Sequence, residues 1–368
     1  MIKDFFISWN FSGQKIFDSL TESSAGIDHG LYVSDTTQKR VIQKEKATLI
    51  WLGDLILPEA YHKEEDYLEE LAINFNPQNV LQAGGHFYCI HINNDPQKLT
   101  LLSGFCGILP IYYYTDSQNI LVSSDISQIK NQLDEKVGIS KRFVLEKMLF
   151  NYPLFQHTIY ENIWRVPTHH LIELAGSYKI QRYFDPATLF AKNPKPIKDS
   201  TSESSKFFRK RLRKYWPEKS FAISLTGGFD GRTLTACALN DKKEFTTYAF
   251  GSSDNPDVII PAIQAKKLNI PFKSIFLDEK NYLKKAKDYG LEFVDQSAGT
   301  ADLARAHYVY GAETIGRDHR FLITGNFGSE LFRAMHLTGE MIAYPTYLFF
   351  SGEKPEELLE KAKNMEEY

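Results

Sequence analysis

The sequence has few cysteines and no long apolar run. Its three cysteines, Cys89, Cys106 and Cys237, form neither a C-x-x-C pair nor a Cys/His metal pattern, so a reducing compartment is favoured over a disulfide framework. The N-terminus lacks a basic segment followed by an apolar one, and no stretch of about 18 apolar residues occurs. These absences indicate neither export nor membrane insertion, and we predict a cytoplasmic protein.

The net charge is small as well. The 43 Lys plus Arg nearly balance the 46 Asp plus Glu, giving a formal charge of -3. No global field therefore favours nucleic acid or an anionic membrane as a partner. The hydrophobic share of 43% and the charged share of 24% are globular values, and 368 residues suit two domains.

Short β-rich segments separated by turn residues fill the chain up to about residue 125. They predict antiparallel strands. The clearest are residues 87–92, 99–103 and 119–123. A helix is predicted to begin near Ser140, and its apolar stripe should cover a sheet face. The stripe consists of Val144, Leu145, Met148 and Leu149.

A link rich in Pro, Lys, Asp and Ser covers residues 186–205. We predict a domain boundary there, with domains at 1–190 and 191–368. Beyond it, residues 221–225 form a near-continuous apolar run, as expected of a strand covered on both faces. Strand-like segments then alternate with helical ones, which predicts a parallel, doubly wound sheet.

The segment from Thr226 to Arg232, T-G-G-F-D-G-R, lies between the first of these strands and a helix. Each glycine loses roughly 1 kcal/mol relative to alanine, so close backbone approach to a ligand is expected. Loop amides and a helix N-terminus form a cradle for phosphate. Thr226 and Arg232 add donors, and Asp230 offers a carboxylate for Mg²⁺. Alternatively, the glycines make a tight turn, Asp230 caps the helix and Arg232 is solvated.

Two other phosphate-binding patterns, G-x-x-x-x-G-K-[ST] and G-x-G-x-x-G, are not found in this segment. The segment instead resembles the pyrophosphatase loop, S-G-G-x-D-S, of the asparagine-synthetase-like amide ligases, which include β-lactam synthetases and lasso-peptide cyclases. Three more segments of the chain resemble family motifs, and they occur in the same order as in the family. Residues 107–113 are similar to its G-I-x-P-L-Y-Y, residues 158–167 to its T-x-x-x-x-I-x-R-x-P, and residues 325–332 to its G-D-G-x-D-E-L-F.

This resemblance implies a fold for each domain. Residues 1–190 would form an α+β domain, a degenerate four-layer α-β-β-α sandwich of the class II glutamine-amidotransferase type. Residues 191–368 would form an α/β, doubly wound ATP-binding domain of the adenine-nucleotide pyrophosphatase type, incomplete at its C-terminus, because family members continue through a long helical region beyond the position of Tyr368.

The resemblance also implies a site with ATP and Mg²⁺ as cofactors. Asp230 and Glu330 are the expected metal ligands. The expected nucleotide- and pyrophosphate-binding residues are Leu225, Thr226, Gly227, Gly228, Asp230, Gly231, Arg232, Phe250, Gly251 and Gly325. At Phe250-Gly251, the end of the second strand, close approach of adenine and a simple turn are both open.

The implied activity is an ATP-dependent ligase that forms an acyl-adenylate and then an amide. Its partners would be a small-molecule or peptide carboxylate and an amine, with no nucleic acid and no membrane, and a homodimer or a partner protein stays open. The alternative is a nucleotide-binding pseudoenzyme or scaffold. Three features favour this alternative: Gly231 replaces the last serine of the loop, Ser329 replaces the second metal-binding aspartate, and the sequence ends about forty residues after Glu330.

The first domain departs from the family at the glutaminase site. Ile2 stands where glutamine-hydrolysing members have the nucleophilic cysteine. The N-G-E segment becomes Gly84-Gly85-His86, and the Arg-Asp pair becomes Ser103-Gly104. We therefore expect a glutaminase-like domain without glutaminase activity.

Three other features favour structural roles. Residues 206–216 interleave basic and aromatic side chains, but helical spacing favours a packed helix over a nucleic-acid patch. Its apolar face consists of Phe208, Leu212, Tyr215 and Trp216. The pairs His169-His170 and His86 with His91 have no further ligand to complete a metal set. Asp257 is interpreted as a charge in the first turn of a helix.

Overall fold

The computed structural model describes residues 4–11, 30–94, 97–133, 137–189, 196–326 and 328. The chain divides into two compact units. Unit 1 comprises Met1–Phe143 and Leu154–Ser202, and unit 2 comprises Val144–Pro153 and Glu203–Tyr368. The whole is a mixed α/β protein with antiparallel sheets in unit 1 and a parallel sheet in unit 2.

The strands of unit 1 are rich in β-branched and aromatic residues, which favour extended backbone. In the described residues they are β1 (Phe5–Asn10), β2 (Gly30–Val33), β3 (Lys39–Gln43), β4 (Ala47–Gly53), β5 (Phe87–Asn94), β6 (Gln97–Ser103), β7 (Tyr112–Thr115), β8 (Asn119–Ser123), β9 (Trp164–Arg165), β10 (His170–Leu174) and β11 (Tyr178–Arg182). One sheet has the order β2-β1-β8-β7-β9 and the other β11-β10-β6-β5-β4-β3. The predicted strands at 87–92, 99–103 and 119–123 are confirmed as β5, β6 and β8.

The helices are bounded as follows. They are α1 (Glu64–Ile73), α2 (Pro77–Val80), α3 (Ile126–Gln132), α4 (Lys141–Phe150), α5 (Ile197–Tyr215), α6 (Phe229–Asn240), α7 (Pro256–Leu268), α8 (Lys280–Gln296) and α9 (Ala306–Gly316). Short 3-10 turns lie at Phe105–Gly107, Pro186–Leu189 and Leu303–Arg305. Among the described helices, none combines the length and the apolar character needed to span a bilayer.

The core of unit 1 lies between its two sheets. Phe5 and Ile7 from one sheet pack with Ile90 and Leu101 from the other. On the outer face of the second sheet, Trp51 packs with residues of α1, including Tyr67, at a ring-centroid distance of 6.1 Å. Burial of these large side chains stabilises each element by roughly 1.5–3 kcal/mol per residue.

Helix α4 forms where predicted, but its predicted apolar stripe does not cover a sheet. Val144, Leu145 and Met148 are 43%, 56% and 70% exposed, whereas Phe143 and Glu146 are buried. The helix is therefore turned about its axis relative to the prediction. Lys147 helps to fix this orientation, since its ammonium group donates to the Thr300 carbonyl oxygen and pairs with Asp302 at 3.3 Å.

Unit 2 is built on a parallel sheet, as predicted. Its strands among the described residues are β12 (Phe221–Ser224), β13 (Phe245–Gly251), β14 (Phe272–Phe276) and β15 (Leu322–Ile323), in the order β14-β13-β12-β15. Phe221 and Ile223 face α5 and α6, whereas Ala222 packs with Ile315 of α9 on the other side. Helices therefore cover both faces, and the near-continuous apolar character of β12 follows from this double burial.

Candidate functional site

The strand order of unit 2 changes direction at β12. From β12 the chain first adds β13 and β14 on one side and later β15 on the other. In open α/β sheets of this kind, ligands bind at the carboxyl ends of the strands where the order reverses. The loop after β12 and the segment after β15, which begins at residue 324, both lie at this edge.

The loop after β12 leads into α6 without a side-chain cap. Leu225 continues the sheet: its N–H donates to the Tyr248 carbonyl oxygen at 2.8 Å, and its side chain is buried. The Thr226 hydroxyl accepts the Gly228 N–H at 3.2 Å. Gly228 is the N-cap of α6 and makes no side-chain cap hydrogen bond. Asp230 therefore does not cap the helix as in the structural alternative, and it lies instead in the first turn.

Neither glycine of this loop is required by the fold. Gly228 has a φ of -74°, and neither glycine adopts the left-handed region. A Cβ on Gly227 would make only ordinary contacts, the nearest being the Asp257 Oδ1 at 3.6 Å, and a Cβ on Gly228 would meet the Thr226 hydroxyl at 3.3 Å. Among the described residues, apart from chain neighbours, only side-chain atoms lie within 4 Å of these two Cβ positions.

Gly231, in contrast, is required by the packing around it. A Cβ at this position would lie 2.4 Å from the Ser224 carbonyl oxygen and 3.3 Å from the Leu225 Cα. The buried Gly231 lets the first turn of α6 lie directly on the end of β12. The serine that the family loop has at this position does not fit this geometry, so Gly231 serves helix–strand packing.

The segment after β15 packs against Asp230. A Cβ on Gly325 would lie 2.6 Å from the Asp230 Cβ, and a Cβ on Gly328 would lie 2.9 Å from the Asp230 Oδ1. The Gly328 N–H also donates to the Gly325 carbonyl oxygen at 3.3 Å. Two segments separated by about 95 residues in the sequence therefore meet at one carboxylate. Ser329 and Glu330, the expected second metal ligand, lie outside the described residues.

Arg232 is held on its own helix. Its Nε donates to the Gly228 carbonyl oxygen at 2.9 Å, and its guanidinium carbon lies 4.5 Å from the centroid of the exposed Phe229 ring. The expected contact of Arg232 with a phosphate would need a different rotamer or the guanidinium's remaining N–H groups.

The end of β13 is explained by packing. A Cβ on Gly251 would lie 3.0 Å from a Val258 methyl group, so the glycine allows α7 to approach the strand. The Phe250 ring packs against His307 and Tyr308 of α9 at centroid distances of 4.9 and 5.7 Å. Of the two interpretations left open for Phe250-Gly251, these contacts support the structural one.

Asp257 lies in the first turn of α7, as predicted. The structure adds that its carboxylate is next to Gly227. Neither Asp257 nor Gly328 was among the predicted site residues. Asp257 could have been found from its place after a strand next to β12, because carboxyl ends of adjacent parallel strands share one sheet edge.

In unit 1, the segments at the positions of the family's glutaminase site pack tightly against one another. Gly85 has a φ of +105°, and a Cβ there would meet the Asp54 Cβ at 2.9 Å. A Cβ on Gly104 would lie 3.1 Å from the Phe87 ring and 3.2 Å from the Gly85 carbonyl oxygen. Cys89 is fully buried, and burial raises the pKa of its thiol. Residues 1–3, and with them Ile2, lie outside the described residues.

The histidine pairs have structural surroundings. The Nε2 of His91 lies 3.1 Å from the Ala72 carbonyl oxygen, and its ring stacks on Phe75. His169 lies between Phe105 and Phe184, and His170 Nδ1 lies 2.9 Å from the Thr168 carbonyl oxygen. In the part of the chain that the structure describes, no group of three or more His, Cys, Asp or Glu side chains could hold a metal ion.

Comparison with known proteins does not assign the chain to a family. No protein-family model matches the chain, and no curated protein matches it. Among solved structures, the chain is similar to a glutamine phosphoribosylpyrophosphate (PRPP) amidotransferase from B. subtilis complexed with ADP and GMP, with 10% identity and a TM-score of 0.24. The match covers 67% of this chain and spans about half, 52%, of that one. Similarity at this level assigns neither a fold nor a function.

Proposed function

We propose that the chain is an ATP-dependent ligase that activates a carboxylate as an acyl-adenylate and joins it to an amine. The observation that carries the proposal is the geometry around Asp230: an uncapped helix N-terminus, an unstrained Thr226–Gly228 loop and the backbone of Gly325 and Gly328 meet at this carboxylate. They do so at the strand-order reversal of a parallel sheet.

The residues fit an anionic ligand. Gly227 has ordinary space at its Cβ position, and the N-terminus of α6 follows the loop. The Gly228 N–H is already donated to the Thr226 hydroxyl, so the other amides of the loop and of the first turn of α6 would bind the phosphate oxygens. Asp230 would hold Mg²⁺, which needs only one or two protein carboxylates when phosphates and waters supply the other ligands. Bound there, Mg²⁺ would neutralise charge on the nucleotide phosphates.

In the proposed reaction, a carboxylate oxygen of the substrate attacks the α-phosphorus of ATP, and the bond from that phosphorus to pyrophosphate breaks. The loop amides and the N-terminus of α6 would bind the departing pyrophosphate. The amine nitrogen then attacks the acyl carbon and loses a proton, and AMP leaves. Glutamine is not the nitrogen donor in this proposal, because Ser103-Gly104 and His86 stand where the resembled glutaminase motifs have Arg-Asp and Glu. A side chain at Gly104 would also crowd the Phe87 ring at 3.1 Å.

A second candidate, a nucleotide-binding pseudoenzyme or scaffold, is favoured by two observations. Gly231 excludes the loop serine sterically, and Arg232 is engaged with Gly228 and Phe229. Both features reduce the number of side-chain donors for a phosphate and leave the backbone cradle in place.

Exchange of labelled pyrophosphate into ATP separates the two candidates, because it requires reversible formation of an adenylate. Native protein, Asp230→Asn and the control Asp288→Asn, which changes an exposed carboxylate on α8, would be screened with a panel of amino acids and other carboxylates. The ligase predicts carboxylate-dependent exchange that Asp230→Asn abolishes and Asp288→Asn retains. ATP binding without exchange would support the pseudoenzyme. Failure to bind ATP would contradict both.

A further inference from the structure

One stripe of α5 carries two exposed aromatic rings in line with an arginine. Phe207, Arg211 and Tyr215 are spaced four residues apart and so follow one another along the helix. Phe207 is 60% exposed and Tyr215 45%. The Arg211 guanidinium carbon lies 5.3 Å from the Phe207 ring centroid. The two aromatic residues are separated by about 12 Å along the helix axis. These three residues are called the α5 stripe.

The apolar contact of α5 with the sheet is made by other residues. Phe208, Leu212 and the buried Trp216 pack with Phe221 and its neighbours. Helical spacing predicts that Tyr215 lies on this face with them. The structure confirms Phe208, Leu212 and Trp216 but leaves Tyr215, the last helical residue, exposed. The exposed rings are therefore not needed for the core.

A cationic face lies along the other side of the stripe. At about 100° per residue, Lys206, Lys210, Arg213 and Lys214 project beyond Phe207, away from the packed face. All four are exposed. From Lys206 to Lys214 the sequence has six Lys or Arg and no Asp or Glu, in a chain whose formal charge is -3. The small net charge thus excludes a global positive field but not this local one.

Two residues at the end of α5 also contact the residue that follows α6. The Asp241 carboxylate accepts the Arg213 Nε–H at 3.1 Å and the Trp216 Nε1–H at 2.9 Å. Arg213 is therefore paired with a carboxylate, and the exposed lysines carry more of the positive charge of this face.

We propose that the α5 stripe and the cationic face beside it bind single-stranded nucleic acid. Proteins that bind single strands combine a positively charged surface for the phosphates with aromatic rings on which bases stack. Here both are present on one helix of unit 2, and the Arg211–Phe207 contact adds the cation–π element of such surfaces. The inference does not depend on the proposed ATP site, which lies at the other end of α6.

Two other partners fit less well. An anionic membrane would bind an amphipathic helix through its apolar face, and that face of α5 is packed on the sheet. Duplex nucleic acid would use the cations, but its bases are already stacked and would leave Phe207 and Tyr215 without a role. A single strand uses both features.

Fluorescence anisotropy with a labelled oligo(dT) of about 20 nucleotides, at about 50 mM salt, tests the proposal on the full chain. The aromatic variant is Phe207→Ala/Tyr215→Ala, and its control is Phe155→Ala, which removes an exposed ring elsewhere. The charge variant is Lys206→Gln/Lys210→Gln/Lys214→Gln. Its control is Lys284→Gln/Lys285→Gln/Lys287→Gln on α8, where all three lysines are exposed.

The aromatic variant should bind the single strand about tenfold more weakly and a duplex of equal length within twofold of native. The charge variant should weaken both, and its plot of log affinity against log salt should flatten by about 0.7 for each phosphate that the removed lysines no longer neutralise. Both controls should stay within twofold of native, and excess ATP should not displace the oligonucleotide.

Four results would overturn the proposal. One is the absence of single-strand binding. A second is a loss of affinity in the α8 control equal to that in the charge variant. The third is an aromatic variant that binds the single strand as tightly as native protein, which would show that the aromatic rings do not contribute to binding. Competition by polyglutamate as strong as by unlabelled oligonucleotide would point to an acidic protein instead and would also overturn it.

Discussion

Glycine has two different roles in the two units. In unit 1, Gly53 and Gly85 have φ values of +102° and +105°, and a Cβ on Gly53 would lie 2.3 Å from the His86 carbonyl oxygen. In unit 2, Gly227 and Gly228 have neither strain nor a backbone clash. The fold itself explains the first pair. Each glycine of the second pair costs roughly 1 kcal/mol of chain entropy on folding, and the fold does not need either of them. This is the pattern expected of a loop that contacts a ligand.

The difference between these two pairs of glycines indicates which region has room for a ligand next to its backbone. At Gly53, Gly85 and Gly104, the glycines let backbone segments and the Phe87 ring lie closer than a Cβ would allow. At Gly227 and Gly228, no described backbone atom crowds the Cβ position, and a helix N-terminus follows, which is the setting in which proteins bind anions. Gly231 belongs to the first kind although it lies within the loop motif, because it meets the Ser224 carbonyl oxygen.

The largest expected effect is at Gly53. Gly53→Ala combines a positive φ with a backbone clash, so we expect the free energy of unfolding to fall by about 3 kcal/mol or more. Urea denaturation of native and variant protein measures it. A change below about 1 kcal/mol would show that the chain can move apart at His86 and that the fold does not require this glycine.

Gly231→Ser introduces the serine of the S-G-G-x-D-S loop that this segment resembles. Because its Cβ would lie 2.4 Å from the Ser224 carbonyl oxygen, we expect a loss of about 2 kcal/mol in stability and no gain in nucleotide affinity. Gly316→Ser is the matched control, since Gly316 ends α9 and, outside its own helix and chain neighbours, no atom of the described residues lies within 4 Å of its Cβ position. Tighter ATP binding by Gly231→Ser at native stability would contradict the packing role.

Gly227→Ala should behave in the opposite way. The alanine fits the folded backbone, so stability should change by less than about 1 kcal/mol and can even rise. Its methyl group would stand in the proposed ligand path, so ATP affinity should fall about tenfold, which corresponds to about 1.4 kcal/mol. Thermal unfolding and calorimetric titration on the same samples test both parts. Unchanged affinity would remove the ligand explanation for this glycine.

The smallest expected effect is a pH dependence in the histidines. Burial lowers the pKa of His91, His169 and His307 below the usual value of about 6.5. The unfolded chain then binds more protons than the folded one below that pH, so stability is full above it and declines as pH falls. Urea midpoints at about pH 7.5 and 5.5 should show the decline, and His91→Gln should reduce it. An equal decline in the variant would assign the effect to other groups.

Much of the fold could be predicted because its pattern is local. Their β-rich composition between turn residues predicted β5, β6 and β8, and the apolar run of β12 predicted a strand covered on both faces. Helix α4 shows the limit: its stripe at Val144 and Met148 has helical spacing, yet Lys147 and its contact with Thr300 orient a different face. Sequence spacing gives the period of a helix but not its rotation.

Those parts of the candidate site that have a local sequence pattern could also be predicted. The loop at Thr226–Arg232 and the segment from Gly325 could be selected from their residues. Their contact at Asp230 depends on the tertiary structure and could not be predicted from the sequence. Phe250 and Gly251 could not be resolved from the sequence, since aromatic packing on α9 and contact with Val258 join segments far apart in the chain. The domain boundary near residue 190, the metal role of Glu330 and the ligase activity stay predictions.

The central claim is that Asp230 holds the Mg²⁺ of a bound nucleotide. Calorimetric titration of ATP with and without Mg²⁺ tests it on native protein, Asp230→Asn and the control Asp288→Asn, at matched melting temperatures. The claim predicts that Mg²⁺ strengthens ATP binding in native protein and in the control, and that Asp230→Asn loses more than about tenfold of the Mg²⁺-dependent affinity. Equal affinities in Asp230→Asn and native protein at saturating Mg²⁺ would contradict it.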